Sequence, residues 1–168
     1  TISNNIAAGS NALGGGVACR DVTNVIVERS VLRGNRVERK EDIARDLASG
    51  GGISLDRCDA LIRDSVIDAN VSADESGGIH TFVGAVIIAR TTISNNRATG
   101  SGAFSDGGGA SLGNGYFVVD STIVGNQADG DGGEAATLLD RREGDEDAAR
   151  LAGGARDVGA RVDHEREL

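Results

Sequence analysis

At 168 residues the chain has room for one domain with a sizeable core. Its 26 glycines come without a proline and without a G-X-Y period, which excludes a collagen. A formal net charge of −9 argues against nucleic acid or an anionic membrane surface as partner.

In chain order the first signal is Ile2–Asn5, an apolar residue three places before an asparagine, and it recurs at Leu32–Asn35, Ile67–Asn70, Ile93–Asn96 and Ile123–Asn126. Gly-Gly pairs open the last four of these units. From the last glycine of each pair the asparagine follows after 19 residues (Gly16 to Asn35), 18 (Gly52 to Asn70), 18 (Gly78 to Asn96) and 17 (Gly109 to Asn126). The return from asparagine to the next pair runs from 7 to 17 residues. A near-constant segment alternating with an elastic one predicts a solenoid with a variable loop on one side.

Within each unit, apolar residues alternate behind the glycines: Val17 and Cys19, Ile53 and Leu55, Ile79 and Thr81, Ala110 and Leu112. A period of two predicts a first strand with one face buried. A second strand is expected at Val25–Val27, Ala60–Ile62, Val86–Ile88 and Tyr116–Val118, and a third, very short one carries the Ile or Leu before the asparagine. Three strands per turn, stacked in register, predict an all-β fold: a right-handed single-stranded parallel β-helix of about four to five coils. The stretch between Asn35 and Gly52, charged around Arg39–Asp46, is expected to protrude with residues 38–47 outside the coil, because eight residues suffice between Asn70 and Gly78.

The runs S-V-L-R-G-N, S-V-I-D-A-N, T-T-I-S-N-N and S-T-I-V-G-N, each followed by G-G-G-V, G-G-G-I, G-G-I or G-G-G-A at some distance, resemble right-handed parallel β-helix repeat proteins. They are most similar to bacterial surface proteins of the polymorphic outer membrane protein and autotransporter passenger type. The resemblance covers residues 1 to about 133. It implies a secreted or cell-surface segment of a longer chain, with carbohydrate or a surface protein as partner, and a non-catalytic stalk or adhesive role. The same fold also carries polysaccharide lyases, hydrolases and epimerases, which keeps an enzyme fragment as the alternative. In such folds Asn5, Asn35, Asn70, Asn96 and Asn126 are expected to stack as an amide ladder, with a left-handed backbone at the corner. The glycine pairs suit positive φ and close approach of neighbouring coils.

Two surfaces follow from the alternation. Outward positions of the first strand read Ala18, Ser54, His80, Ser111 and Arg20, Asp56, Phe82, Gly113, and Arg20, Asp56, His80 and Phe82 form a candidate carbohydrate-binding set. Paired-carboxylate catalysis needs two acids on one face, and Asp56 alone qualifies, so no catalytic residue is assigned. Nine residues before each asparagine stand Ile26, Leu61, Ile87 and Phe117, an apolar outward stripe and a candidate partner face.

No metal site or cofactor is expected: His80 and His164 lack ligand spacing to the cysteines, and Asp129–Glu134 reads as a turn rather than a calcium loop. Cys19 and Cys58 lie about three strand residues out of register, roughly 10 Å, and are expected to be free thiols, Cys19 buried and Cys58 near a turn. Neither a signal peptide nor an apolar membrane span is evident, and the opening at Thr1 inside a repeat reads as a fragment. After residue 133 the repeat stops. Residues 134–168 hold ten acidic and six basic side chains, which predicts a charged tail or cap, irregular or partly helical around Ala135–Leu139 and Ala148–Ala152, or a stretch out of its native reading frame.

Overall fold

Alternating apolar positions and β-branched residues commit this sequence to strands, and a computed structural model contains no other regular element among the residues it describes, 1–39, 48–100, 107–113, 115–129 and 136–138. The strands fall into four sheets, and every pairing is parallel. The first sheet holds Val17–Arg20, Ile53–Asp56, Ile79–Thr81, Ala110–Leu112 and Ala136–Leu138. The second holds Val25–Glu28, Ala60–Arg63, Val86–Ala89 and Tyr116–Val119. The third holds Ile2–Ser3, Val31–Arg33, Val66–Asp68, Thr92–Ser94 and Thr122–Val124. Each strand pairs with its counterpart one sequence repeat away, an arrangement consistent with a β-solenoid.

The sequence pattern does not predict the fourth sheet. Ile6–Ala8, Arg36–Glu38, Val71–Ser72, Arg97–Ala98 and Gln127–Ala128 pair just after each asparagine. At two or three residues these strands are too short to show a period. Ala136–Leu138 also differs from the helical turn expected there, since it pairs in register with Ala110–Leu112. Of the stretch 38–47 expected to protrude, Glu38 instead ends a paired strand, opposite Ala8, while residues 40–47 and 139–168, on which the rest of that loop and most of the charged tail fall, lie outside the described residues.

The core lies between the sheets. Leu32, Ile53, Leu55, Ile62, Ile67, Ile79, Ile88, Ile93 and Leu112 are fully buried. Like stacks on like: Ile53 pairs with Ile79, Leu32 with Ile67, and Ile93 with Ile67 and Ile123. Each such side chain contributes about 1.5–3 kcal/mol of burial.

The asparagines close the corner between the third and fourth sheets. The Nδ2 group of Asn5, Asn35, Asn70 and Asn96 donates to the next Oδ1 in the row at 2.9, 3.0, 2.9 and 2.9 Å. The backbone N–H of the same four donates to that same oxygen. The second Nδ2 hydrogen of Asn35, Asn70, Asn96 and Asn126 goes to the carbonyl of Ile2, Leu32, Ile67 and Ile93. In the middle of the row, both donors and both lone pairs of the amide are used. The strict three-residue offset between Ile or Leu and Asn follows from that last bond.

The left-handed backbone sits one residue earlier than expected. Asn4, Gly34, Ala69, Asn95 and Gly125 have φ between 53° and 65°, and none of the ladder asparagines has a positive φ. The glycine pairs serve close approach rather than positive φ. A Cβ on Gly51 would lie 2.5 Å from the Val71 carbonyl oxygen, and one on Gly52 would lie 3.1 Å from Asn70 Nδ2. Nearer still are the carbonyl oxygens of Gly77 and Gly78, at 2.4 and 2.7 Å, so both glycines clear the backbone of the next repeat, the first also the fourth sheet and the second the ladder.

Candidate binding face

Strand alternation turns Val25 and Val27 inward and Ile26 outward, and in-register pairing repeats this through the second sheet. Ile26 pairs with Leu61, Leu61 with Ile87, and Ile87 with Phe117. Ile26 is 61% exposed, Ile87 45% and Phe117 60%, while Leu61 is half-buried. The four candidate partner-face residues therefore form one continuous row. Val119, two residues past Phe117 on the same side, extends it at 40% exposure.

The corner after this row is charged, a feature the sequence carries but the apolar pattern hides. Six residues before each asparagine stand Arg29, Asp64, Arg90 and Asp120, all exposed and all with φ between 45° and 51°. Arg90 holds Asp64 in a two-pronged pair, Nε to Oδ1 at 2.6 Å and Nη2 to Oδ2 at 2.8 Å. These hydrogen bonds lower the Asp64 pKa below the ordinary carboxylate range and raise that of Arg90. On the strand just before the corner, Arg63 grips Glu28 with Nε at 3.0 Å and Nη2 at 2.6 Å, and Arg29 Nη2 reaches the same carboxylate at 2.9 Å. Hydrogen bonds from Arg63 and Arg29 lower the Glu28 pKa in turn.

A hydroxyl follows at every repeat: Ser30, Ser65, Thr91 and Ser121. Each donates to the carbonyl two residues back, at 2.9, 2.7, 3.0 and 2.9 Å, and so braces the turn out of the left-handed residue. The charged row and the hydroxyl row both stand at fixed offsets from the asparagine. That regularity is the signal by which sequence reasoning could have found them.

The first sheet is less open than its alternation suggests. Ala18, Ser54, His80 and Ser111 pair in register, yet Ser54 is 1% exposed, Ser111 8%, and the His80 side chain 12%. Of the candidate carbohydrate-binding set, Arg20 and Phe82 face solvent, while Asp56 and His80 are largely covered. Asp56 is gripped by Arg20 Nε at 2.7 Å and by Arg57 Nη1 at 3.0 Å. Arg57 also clasps Asp21 and keeps its pKa low. His80 Nδ1 lies 3.4 Å from Glu75 Oε2 but finds no hydrogen bond, and Glu75 accepts instead from Ser49 Oγ at 3.1 Å. Burial outweighs the pull of Asp56 and lowers the His80 pKa to about 4, so the imidazole is neutral at pH 7.

Both cysteines are free thiols. Cys19 pairs with Leu55, which leaves Cys58 three residues further along its strand direction. Cys58 lies, as expected, in the turn between Ile53–Asp56 and Ala60–Arg63, where it is 1% exposed, whereas Cys19, expected to be buried, is only half-buried. Burial, then the nearby Cys58 thiol, push the Cys19 pKa up. Among the described residues no group of three His, Cys, Asp or Glu side chains converges as metal ligands. Among them, too, no helix is long and apolar enough to cross a membrane, which says nothing of strands. No family model matches the chain, and no curated protein or solved structure matches it significantly.

Proposed function

We propose that the chain is a segment of a right-handed single-stranded parallel β-helix, of about four to five coils, from a secreted or cell-surface bacterial protein. Its role in this reading is that of a stalk and adhesive surface of the polymorphic outer membrane or autotransporter passenger type, with carbohydrate or a surface protein as partner. The observation that carries the adhesive part is the exposed row Ile26, Leu61, Ile87 and Phe117. Three of its four side chains are at least 45% exposed. Apolar side chains held in a continuous row at rung spacing present a ready contact surface.

The alternative is a polysaccharide lyase, hydrolase or epimerase fragment, and it draws on Asp56 and His80 beside Glu75 on the first sheet. One experiment separates the two. The immobilised chain is offered polygalacturonate, alginate and xylan, with retention read by refractive index and turnover by new reducing ends and unsaturated uronate absorbance. The adhesive reading expects no product and, where a glycan is retained, loss of retention in Ile87→Thr/Phe117→Thr. Product formation that disappears in His80→Gln or Asp56→Asn would overturn it in favour of the enzyme.

A further inference from the structure

Rows of charge repeating at rung spacing specify which surface they can oppose. The corner beside the apolar row reads Arg29, Asp64, Arg90, Asp120: plus, minus, plus, minus. Turned end for end, that order reads minus, plus, minus, plus, so the row is complementary to its own reverse. Laid alongside itself in the same direction it sets like on like. A twofold axis parallel to the strands of the second sheet performs the reversal. It keeps strand direction, inverts the stacking order, and brings the face onto its copy.

We propose that the second-sheet face is a self-docking surface whose occupant is a second copy of this chain in reversed stacking order. This names the partner for the adhesive face and rests on that reading. Ile26 meets the partner's Phe117 and Leu61 meets the partner's Ile87, while Arg29 opposes the partner's Asp120 and Asp64 opposes the partner's Arg90. Charge elsewhere supports the choice. The chain carries −9 overall, which sets copies against one another. The two rows that follow the stripe hold three acids (Glu28, Asp64, Asp120) and three arginines (Arg29, Arg63, Arg90), so this face escapes that repulsion.

The contact is small. Four strands at about 4.8 Å spacing and four residues at about 3.3 Å give roughly 250 Å² a side. That is well under the roughly 800 Å² per partner of a stable complex. The dimer formed by this segment alone is therefore weak, appearing at about 0.1–1 mM. Charge complementarity sets its register more than its strength.

Sedimentation velocity of the full 168-residue chain from about 0.02 to 1 mM, at low salt, tests this. The weight-average sedimentation coefficient should rise with concentration. Arg29→Asp and Asp120→Arg each set two like-charge contacts in the homodimer, and each should weaken association about tenfold. In a one-to-one mixture of the two variants, the introduced aspartate of one copy faces the introduced arginine of the other. The native Asp120 of the first copy likewise faces the native Arg29 of the second, so the mixture should recover wild-type association. A wild-type chain that stays monomeric at about 1 mM overturns the proposal, as does a mixture no better than its components. Either result leaves the adhesive reading standing, because glycan retention is measured separately on immobilised, single chains.

Discussion

Replacing Asn70 with alanine tests the amide ladder where it is driest. Asn70 is fully buried and sits mid-row, with its Oδ1 accepting from both Asn35 N and Asn35 Nδ2 at 3.0 Å. The substitution leaves those two donors without an acceptor, at about 1–3 kcal/mol each. Asn96 Oδ1 and the Leu32 carbonyl each lose a donor, at about 0.5–1.5 kcal/mol apiece. The expected loss is about 5 kcal/mol, a large share of the roughly 5–15 kcal/mol that holds a domain together. Asn5→Ala, at the exposed end of the same row, should cost about 1 kcal/mol, since water replaces the lost contacts. Asn126→Ala, half-buried, should fall between. Urea denaturation followed by circular dichroism gives the three midpoints, and a common slope lets them be compared as free energies. Agreement of Asn70→Ala and Asn5→Ala within about 1 kcal/mol would refute this.

Three further outcomes are expected. Ala69 holds φ at 53° where Gly34 and Gly125 occupy the matching corners, so Ala69→Gly should stabilise by about 0.5–1 kcal/mol, and a lower urea midpoint would contradict this. Because the folded His80 pKa, about 4, lies below the ordinary 6.5, the unfolded chain binds the proton first and stability falls as pH drops from 6.5 toward 4. The loss should reach roughly 2 kcal/mol by about pH 5, where carboxylates still contribute little, out of roughly 3 kcal/mol in full below about pH 4, read as the difference between wild type and His80→Gln; a difference flat with pH would refute it. Native protein should react with one equivalent of a thiol reagent at Cys19, slowly, and with a second at Cys58 only in denaturant, whereas two fast equivalents in buffer would contradict the burial.

Whether a feature is legible in the sequence depends on whether its residue repeats. The asparagines, the glycine pairs and the alternation of Ile53 with Leu55 recur at fixed offsets, and parallel stacking follows because each serves its copy in the next repeat. The stripe at Ile26, Leu61, Ile87 and Phe117 is legible for the same reason, since parity relative to the asparagine decides which side chain faces out. Non-recurring features are not. Ser54 and His80 are covered although their parity points outward, and alternation says nothing of what lies across a face. The preference of Asn for left-handed backbone points to the ladder asparagine as the bending residue, yet Ala69 holds that position in one repeat. Local propensity acts one residue earlier, where Asn4, Gly34, Asn95 and Gly125 are types that tolerate a left-handed backbone, while the ladder asparagine is held by its hydrogen bonds. The fourth sheet is harder to see because its inward residue, two places after each asparagine, is small and changes type (Ala7, Val37, Ser72, Ala98, Ala128), unlike the large Ile or Leu that marks the equally short third-sheet strands.

The proposed docking role of the second-sheet row requires that it lie outside the core. Ile87→Thr/Phe117→Thr tests it most directly, with urea midpoint and concentration-dependent sedimentation measured on the same preparation. Threonine keeps the branched Cβ that suits a strand and removes the exposed apolar surface. The midpoint should stay within about 0.5 kcal/mol of wild type while concentration-dependent association is lost. A double variant that unfolds, or one that associates as the wild type does, would contradict it.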